Sequence, residues 1–212
     1  MKVLFFSRIS VCMLVITVFA WSCNNENKTS ENTTTDTTTM QVQNDTAIHN
    51  MDMAPDTAAP PMVNQAEAIL SGTYPDTTVS GTVKFETAAN GKVKMMLDIT
   101  VAAKAGKSVA VHIHEHGDCG DTGKMAHGHW NPTNSQHGKW GVGSFHAGDI
   151  GNVKLNAKGK GTLSVETDLW TLGGKADKNI LNKSIIVHGG VDDFTTQPTG
   201  NAGTRIGCGV IK

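Results

Sequence analysis

Arginine is almost missing from this sequence: Arg8 and Arg205 are the only two in 212 residues. Aromatic residues make up only 5% and charged residues 17%, with a single tyrosine. Acidic and basic residues nearly cancel, 19 against 18, so the basic excess of a nucleic-acid binder is absent and no nucleic acid is expected as a partner. No apolar run long enough to cross a bilayer occurs after the first two dozen residues, which excludes a polytopic membrane protein. No repeat of fixed period is visible, which argues against a solenoid or propeller. Glycine, by contrast, is plentiful at 23 residues and suits a turn-rich β protein. A chain that writes lysine throughout its globular part and arginine once has kept Arg205 for its geometry.

The charges are unevenly placed. From Cys23 to Gln65 six acidic residues face one lysine, whereas from Ala66 onward 13 acidic and 15 basic residues leave a net +2. The first residues read as an export signal over 1–22, with Lys2 and Arg8 before a short apolar stretch from Ile9 to Ala20. Ala20-Trp21-Ser22-Cys23 resembles a bacterial lipobox, which implies a lipid anchor on Cys23 and a membrane as partner. Trp21 stands where a small residue is usual, and ordinary cleavage leaving a soluble secreted protein is the alternative. Residues 23–65, rich in Thr, Asn and Pro, hold too little apolar surface to offset chain ordering and read as a disordered tether. His49, Met51 and Met53 within it could bind copper weakly, but a linker carrying a few methionines by chance is the preferred reading.

From Ala66 the pattern changes to short strands. Thr78–Glu86 and Lys92–Val101 alternate apolar and polar residues around an Ala89-Asn90-Gly91 turn, a hairpin signal. Val109–His114, Gly161–Glu166, Ser184–His188 and Arg205–Ile211 are further strand candidates. No stretch keeps helical periodicity over three turns, so the fold class is all-β, a sandwich or barrel.

Of nine histidines, eight fall between His112 and His188. In Val-His-Ile-His-Glu, period-two alternation puts His112 and His114 on one face of a strand and Ile113 on the other. Two neighbouring imidazoles on a rigid strand suit copper or zinc. His129, His137, His146 and Asp149 follow in a Gly/Asn/Pro-rich loop, and His188 ends an apolar strand. Outside the leader only Cys119 and Cys208 remain. In an exported chain such a pair is most simply a disulfide, with two free thiols or soft metal ligands as the alternative.

Val-His-Ile-His-Glu-His-Gly-Asp-Cys (111–119), Gly-His-Trp-Asn-Pro (128–132), His137-Gly138, His146-Ala-Gly-Asp-Ile-Gly-Asn (146–152) and Gly-Asn-Ala-Gly-Thr-Arg-Ile-Gly-Cys-Gly-Val (200–210) resemble copper/zinc superoxide dismutase, from about Val79 to Lys212. The resemblance implies an eight-stranded Greek-key β-barrel spanning 66–212, with one copper and one zinc per chain. It implies copper on His112, His114, His129 and His188, and zinc on His129, His137, His146 and Asp149, His129 bridging the two. Asp192 would support ligands of both metals, His112 and His137; Arg205 would draw in superoxide, the substrate; and Cys119–Cys208 would be the intrasubunit disulfide. His116 and His127 have no ligand role in that pattern and are read as non-ligands. The closeness of Cys119 to His114 resembles bacterial members. The chain would act as a monomer or homodimer in the periplasm or cell envelope. A copper-delivery protein without turnover is the alternative, against which a full zinc set, Asp192 and Arg205 speak.

Overall fold

The computed structural model describes residues 59–75 and 78–212. The leader over 1–22, Cys23 and the segment holding His49, Met51 and Met53 lie outside the described residues. Eight strands follow one another: β1 (Gln65–Gly72), β2 (Val79–Thr87), β3 (Val93–Val101), β4 (Ser108–His114), β5 (Gly151–Lys154), β6 (Lys160–Thr167), β7 (Ser184–His188) and β8 (Arg205–Val210). They form one antiparallel sheet in the order β5-β4-β7-β8-β1-β2-β3-β6. The two end strands approach each other. A Cβ on Gly161 of β6 would come within 2.7 Å of Val153 of β5, so the sheet curls into a nearly closed barrel. The β4–β7 and β8–β1 neighbours are the crossovers of a Greek key.

Alternation builds the core. On β2, Val79, Val83 and Phe85 point inward; on β3, Val93, Met95, Leu97, Ile99 and Val101 do the same. Phe85 meets Trp170 edge-on at 6.2 Å, and the buried Trp170 indole donates to the Ala147 carbonyl at 2.8 Å. The β2–β3 connection is longer than a two-residue turn. Ala88 N–H donates to Lys92 O, Gly91 N–H donates to Ala88 O, and Gly91 alone takes positive φ, at 78°.

Two strands carry no clear signal in the sequence. β1 buries Ala66, Ala68 and Leu70 while Ile69 faces solvent, so its inner face is mostly small residues and its outer face is partly apolar. β5 has only four residues. The barrel also begins earlier than Ala66, because Val63 N–H donates to Leu172 O and Gly174 N–H to Pro60 O. The prolines there form no regular element, and their docking depends on a loop more than a hundred residues away.

Candidate metal centre

β4 delivers the first histidines. Ile113 lies in the barrel core, and His112 and His114 emerge on the opposite face, where the long loops before and after β5–β7 cover them completely. A backbone triangle fastens that covering. Ile113 N–H donates to Gly148 O, Trp130 N–H to Ile113 O, and Gly148 N–H to Trp130 O, at 2.8–3.0 Å. A side chain on Gly148 would collide with the Ile113 carbonyl, so glycine is required for the loop to lie this close. A single β-bridge between His114 and His129 sets the next histidine against the first two.

Two groups of buried side chains result. In each, one ligand atom per residue lies within 4.8 Å of all the others: His112, His114, His129 and His188 in one, and His129, His137, His146 and Asp149 in the other. His129 belongs to both.

The ring nitrogens are sorted by their outer partners. His114 Nδ1 donates to the His127 carbonyl at 2.8 Å, and its Nε2 lies 3.3 Å from His188 Nε2. His188 Nδ1 faces the Gly203 carbonyl at 3.2 Å, and His146 Nε2 faces the Ser135 carbonyl at 3.1 Å. His112 Nε2 and His137 Nε2 donate to the two oxygens of Asp192 at 3.0 and 2.9 Å. Each of these five rings thus spends one nitrogen on an oxygen outside the groups and aims the other inward. His129 is different. Its Nδ1 meets Asp149 Oδ1 at 2.8 Å inside the second group, and its Nε2 points into the first with no partner.

His112 Nδ1, His129 Nε2 and His137 Nδ1 are buried with no hydrogen-bond partner among the described residues. His137 Nδ1 stands 3.0 Å from Asp149 Oδ2 without the alignment of a hydrogen bond. Leaving a buried polar atom unmet costs about 1–3 kcal/mol. A cation at the centre of each group removes that cost, and imidazole with carboxylate is the donor chemistry of copper and zinc. The residues present fit both metals.

Supporting residues explain the rigidity. Asp192 is 1% exposed, and Asn152 clamps its backbone with two bonds of 2.9 Å. Burial alone would raise the Asp192 carboxyl pKa, but hydrogen bonds from His112, Phe194 N–H and His137 hold it below the ordinary value. The same opposition applies to Asp149, where burial is outweighed by His129, His146 and the backbone of His146 and Gly138. Gly200 has φ of 64°, and a Cβ there would overlap Asp192 and approach within 2.5 Å of His137 Nε2. Gln197 grips the backbone of His137, accepting from its N–H at 2.8 Å and donating to its carbonyl at 2.9 Å. The sequence points to neither Gln197 nor the role of Asn152, because both act across 40 or more residues.

Arg205 opens β8, half-buried beside the first group. Its Nη1 donates to Gly123 O and its Nη2 to His127 O, both at 2.6 Å. His114 and Arg205 therefore share one carbonyl. Cys119 and Cys208 form a disulfide with Cα atoms 5.8 Å apart, tying the loop after β4 to β8.

The empty-handed rings predict an acid weakness. In metal-free protein, burial first and neighbouring imidazoles second hold His188 down to about 3. Burial, opposed by the Asp149 hydrogen bond, holds His129 down to about 4. The unfolded chain takes protons near its ordinary histidine value of about 6.5, and the folded chain refuses them. Stability is therefore full above about pH 6.5 and falls toward pH 3–4, by up to about 1.4 kcal/mol per pH unit for each histidine. Urea midpoints of chelator-treated protein at pH 7 and pH 5 check this, and equal midpoints would refute it.

The family described as copper/zinc superoxide dismutase (SODC) matches residues 79–211. A protein named superoxide dismutase [Cu-Zn] 2 from Aquifex aeolicus (strain VF5) is 42% identical over 109 residues, covering 49% of this chain and 63% of that protein. Its namesake 1 from the same organism is 42% identical and covered to 64%, so the chain spans less than two thirds of either. Superoxide dismutase [Cu-Zn] of Paramecium bursaria Chlorella virus 1 is 37% identical over 152 residues, covering 69% of this chain and 76% of that one. A solved structure described as the clock protein EA4 superposes with a TM-score of 0.62 at 29% identity, covering 71% of this chain and 95% of its own. With the match running across most of the barrel and both histidine groups, the chain belongs to the copper/zinc superoxide dismutase family.

Proposed function

We propose that this protein is a superoxide dismutase that converts superoxide to oxygen and hydrogen peroxide with one copper and one zinc per chain. The observation that carries the reading is the sorting of ring nitrogens: five histidines tied outward, and His129 facing both groups. His112 Nδ1 and the Nε2 atoms of His114, His129 and His188 would hold copper. The Nδ1 atoms of His129, His137 and His146 with Asp149 would hold zinc.

When bound, copper supplies the alternation between Cu(II) and Cu(I) that takes an electron from one superoxide and returns it to the next, while zinc supplies a fixed charge without redox chemistry. The chain's own residues do the rest. Arg205 presents its guanidinium at the mouth and draws in the small anion. His129 Nε2, which has no hydrogen-bond partner among the described residues, would take a proton from solvent when released from copper and give it to the peroxide formed from the second superoxide. Solvent provides the other proton. Asp192 keeps His112 and His137 oriented, which holds the two groups in register.

Export agrees with the disulfide, since such bonds persist in oxidising compartments. A lipid anchor at Cys23, after removal of 1–22, with 23–65 as a tether, would place the enzyme at a membrane surface as a monomer or homodimer. Cys23→Ser should then move the protein from the membrane fraction to the soluble one with the folded domain intact; unchanged retention would point to another anchor. Metal analysis with a dismutase assay on loaded protein tests the main reading. About one copper and one zinc with rapid turnover is the expected result. Both metals without turnover would indicate storage or delivery, and copper without zinc would overturn the zinc assignment.

A further inference from the structure

A third cluster of metal-ligating side chains lies outside both buried groups. Glu115, His116 and His127 are all exposed, and one ligand atom from each lies within 4.8 Å of the other two. The fold produces this closeness. Beyond His114 the strand ends and the chain bends, with Glu115 N–H donating to Gly128 O at 3.1 Å and His116 N–H to Ala126 O at 3.2 Å. These two bonds set His116 beside His127, with ring centroids 4.4 Å apart and the planes inclined at 67°. His127 adopts φ of 61° and ψ of −143°, a conformation that side-chain-bearing residues seldom take. In that conformation its carbonyl serves His114 and Arg205 while its ring lies exposed beside His116.

The platform is fixed from several sides. Arg205 holds the carbonyls of Gly123 and His127, the Cys119–Cys208 disulfide pins the intervening loop, and the Ser184 hydroxyl donates to the His116 carbonyl. With the backbone fixed in advance, binding has only the side-chain rotations left to order. Two imidazoles and a carboxylate suit zinc(II) or copper(II) and disfavour calcium and magnesium, which prefer all-oxygen sets. Three protein ligands leave the remaining positions to water, as in an open, exchangeable site. Lys183 works against tight binding, since its ammonium lies 3.5 Å from the Glu115 carbonyl and interacts with the Glu115 carboxylate.

We propose that Glu115, His116 and His127 form a third, exposed metal site that takes an exchangeable divalent ion of the zinc(II)/copper(II) class at the rim of the first buried group. It depends on its own three side chains and not on the assignment of the buried metals.

The test titrates zinc(II) into the full chain by calorimetry, after the content of the buried centres has been measured and saturated. One further equivalent is expected. His116→Ala and Glu115→Gln should each weaken that step at least about tenfold, in line with the loss of a metal-supporting group. His127→Gly, which adopts this φ and ψ without strain, should do the same while keeping the fold. The His116 and His127 ring protons in NMR spectra should shift together with the same titration in the native chain. Because His49 is also present, the result is read as the difference between native chain and variants. A further equivalent bound equally by native chain and His116→Ala, or none at all, overturns the proposal. Either outcome leaves the buried-centre reading to its own metal analysis and activity assay.

Discussion

Replacing His188 with alanine is expected to reduce dismutation to below about 1% of the native rate, because losing even an outer partner of a metal ligand typically weakens the metal 10–100-fold. His188 Nε2 stands 3.3 Å from His114 Nε2, and removing either takes one of four donors from the group proposed for copper. His114→Ala should act alike. Asp149→Asn or His137→Ala should instead loosen zinc first and leave part of the turnover, since neither belongs to the first group. The measurement is activity per chain, alongside copper and zinc content. Native turnover in His188→Ala would show that copper lies elsewhere.

Arg205 carries the second large effect. The barrel's net +2 is small and spread over fifteen cations and thirteen anions, which cannot aim a small anion at one atom. A guanidinium held by the carbonyls of Gly123 and His127 can, because it is fixed and half-buried. Lysine keeps the charge but has no planar fork with which to grip both carbonyls at once, so Arg205→Lys should lose about threefold. Arg205→Glu reverses the local field and should lose about tenfold or more, within the range that electrostatic steering spans. Metal content should be unchanged in Arg205→Lys. Salt should slow the native enzyme, since screening acts over about 8 Å at physiological ionic strength, and should have a flat or inverted effect on the glutamate variant. Equal rates and equal salt slopes in all three would remove Arg205 from substrate capture.

The histidines were legible in sequence for a physical reason. A His-Ile-His run on a strand can only present two rings to one side, and the structure puts Ile113 in the core and both rings opposite it. The β2–β3 hairpin was equally legible, because five inward apolar residues on β3 alternate without interruption. β1 was not, since alanine on its inner face and Ile69 on its outer face blur the alternation. Gln197 and Asn152 were invisible for another reason: a side-chain amide gripping a distant backbone leaves no local pattern. His116 and His127 had no place in the resemblance, and only the pairing of Glu115–His116 with Ala126–Gly128 brings them together.

Asp192 has one oxygen on His112 and the other on His137, so a single carboxylate is fastened to both groups. The two centres are then linked in the thermodynamic sense. Whatever factor zinc occupancy applies to the affinity for copper, copper must apply the same factor to the affinity for zinc. When that coupling is favourable, scarcity of one metal is felt as weaker retention of the other, and the pair fills as a unit. With Asp192→Ala the coupling itself would lose this bridge and keep the shared ring of His129.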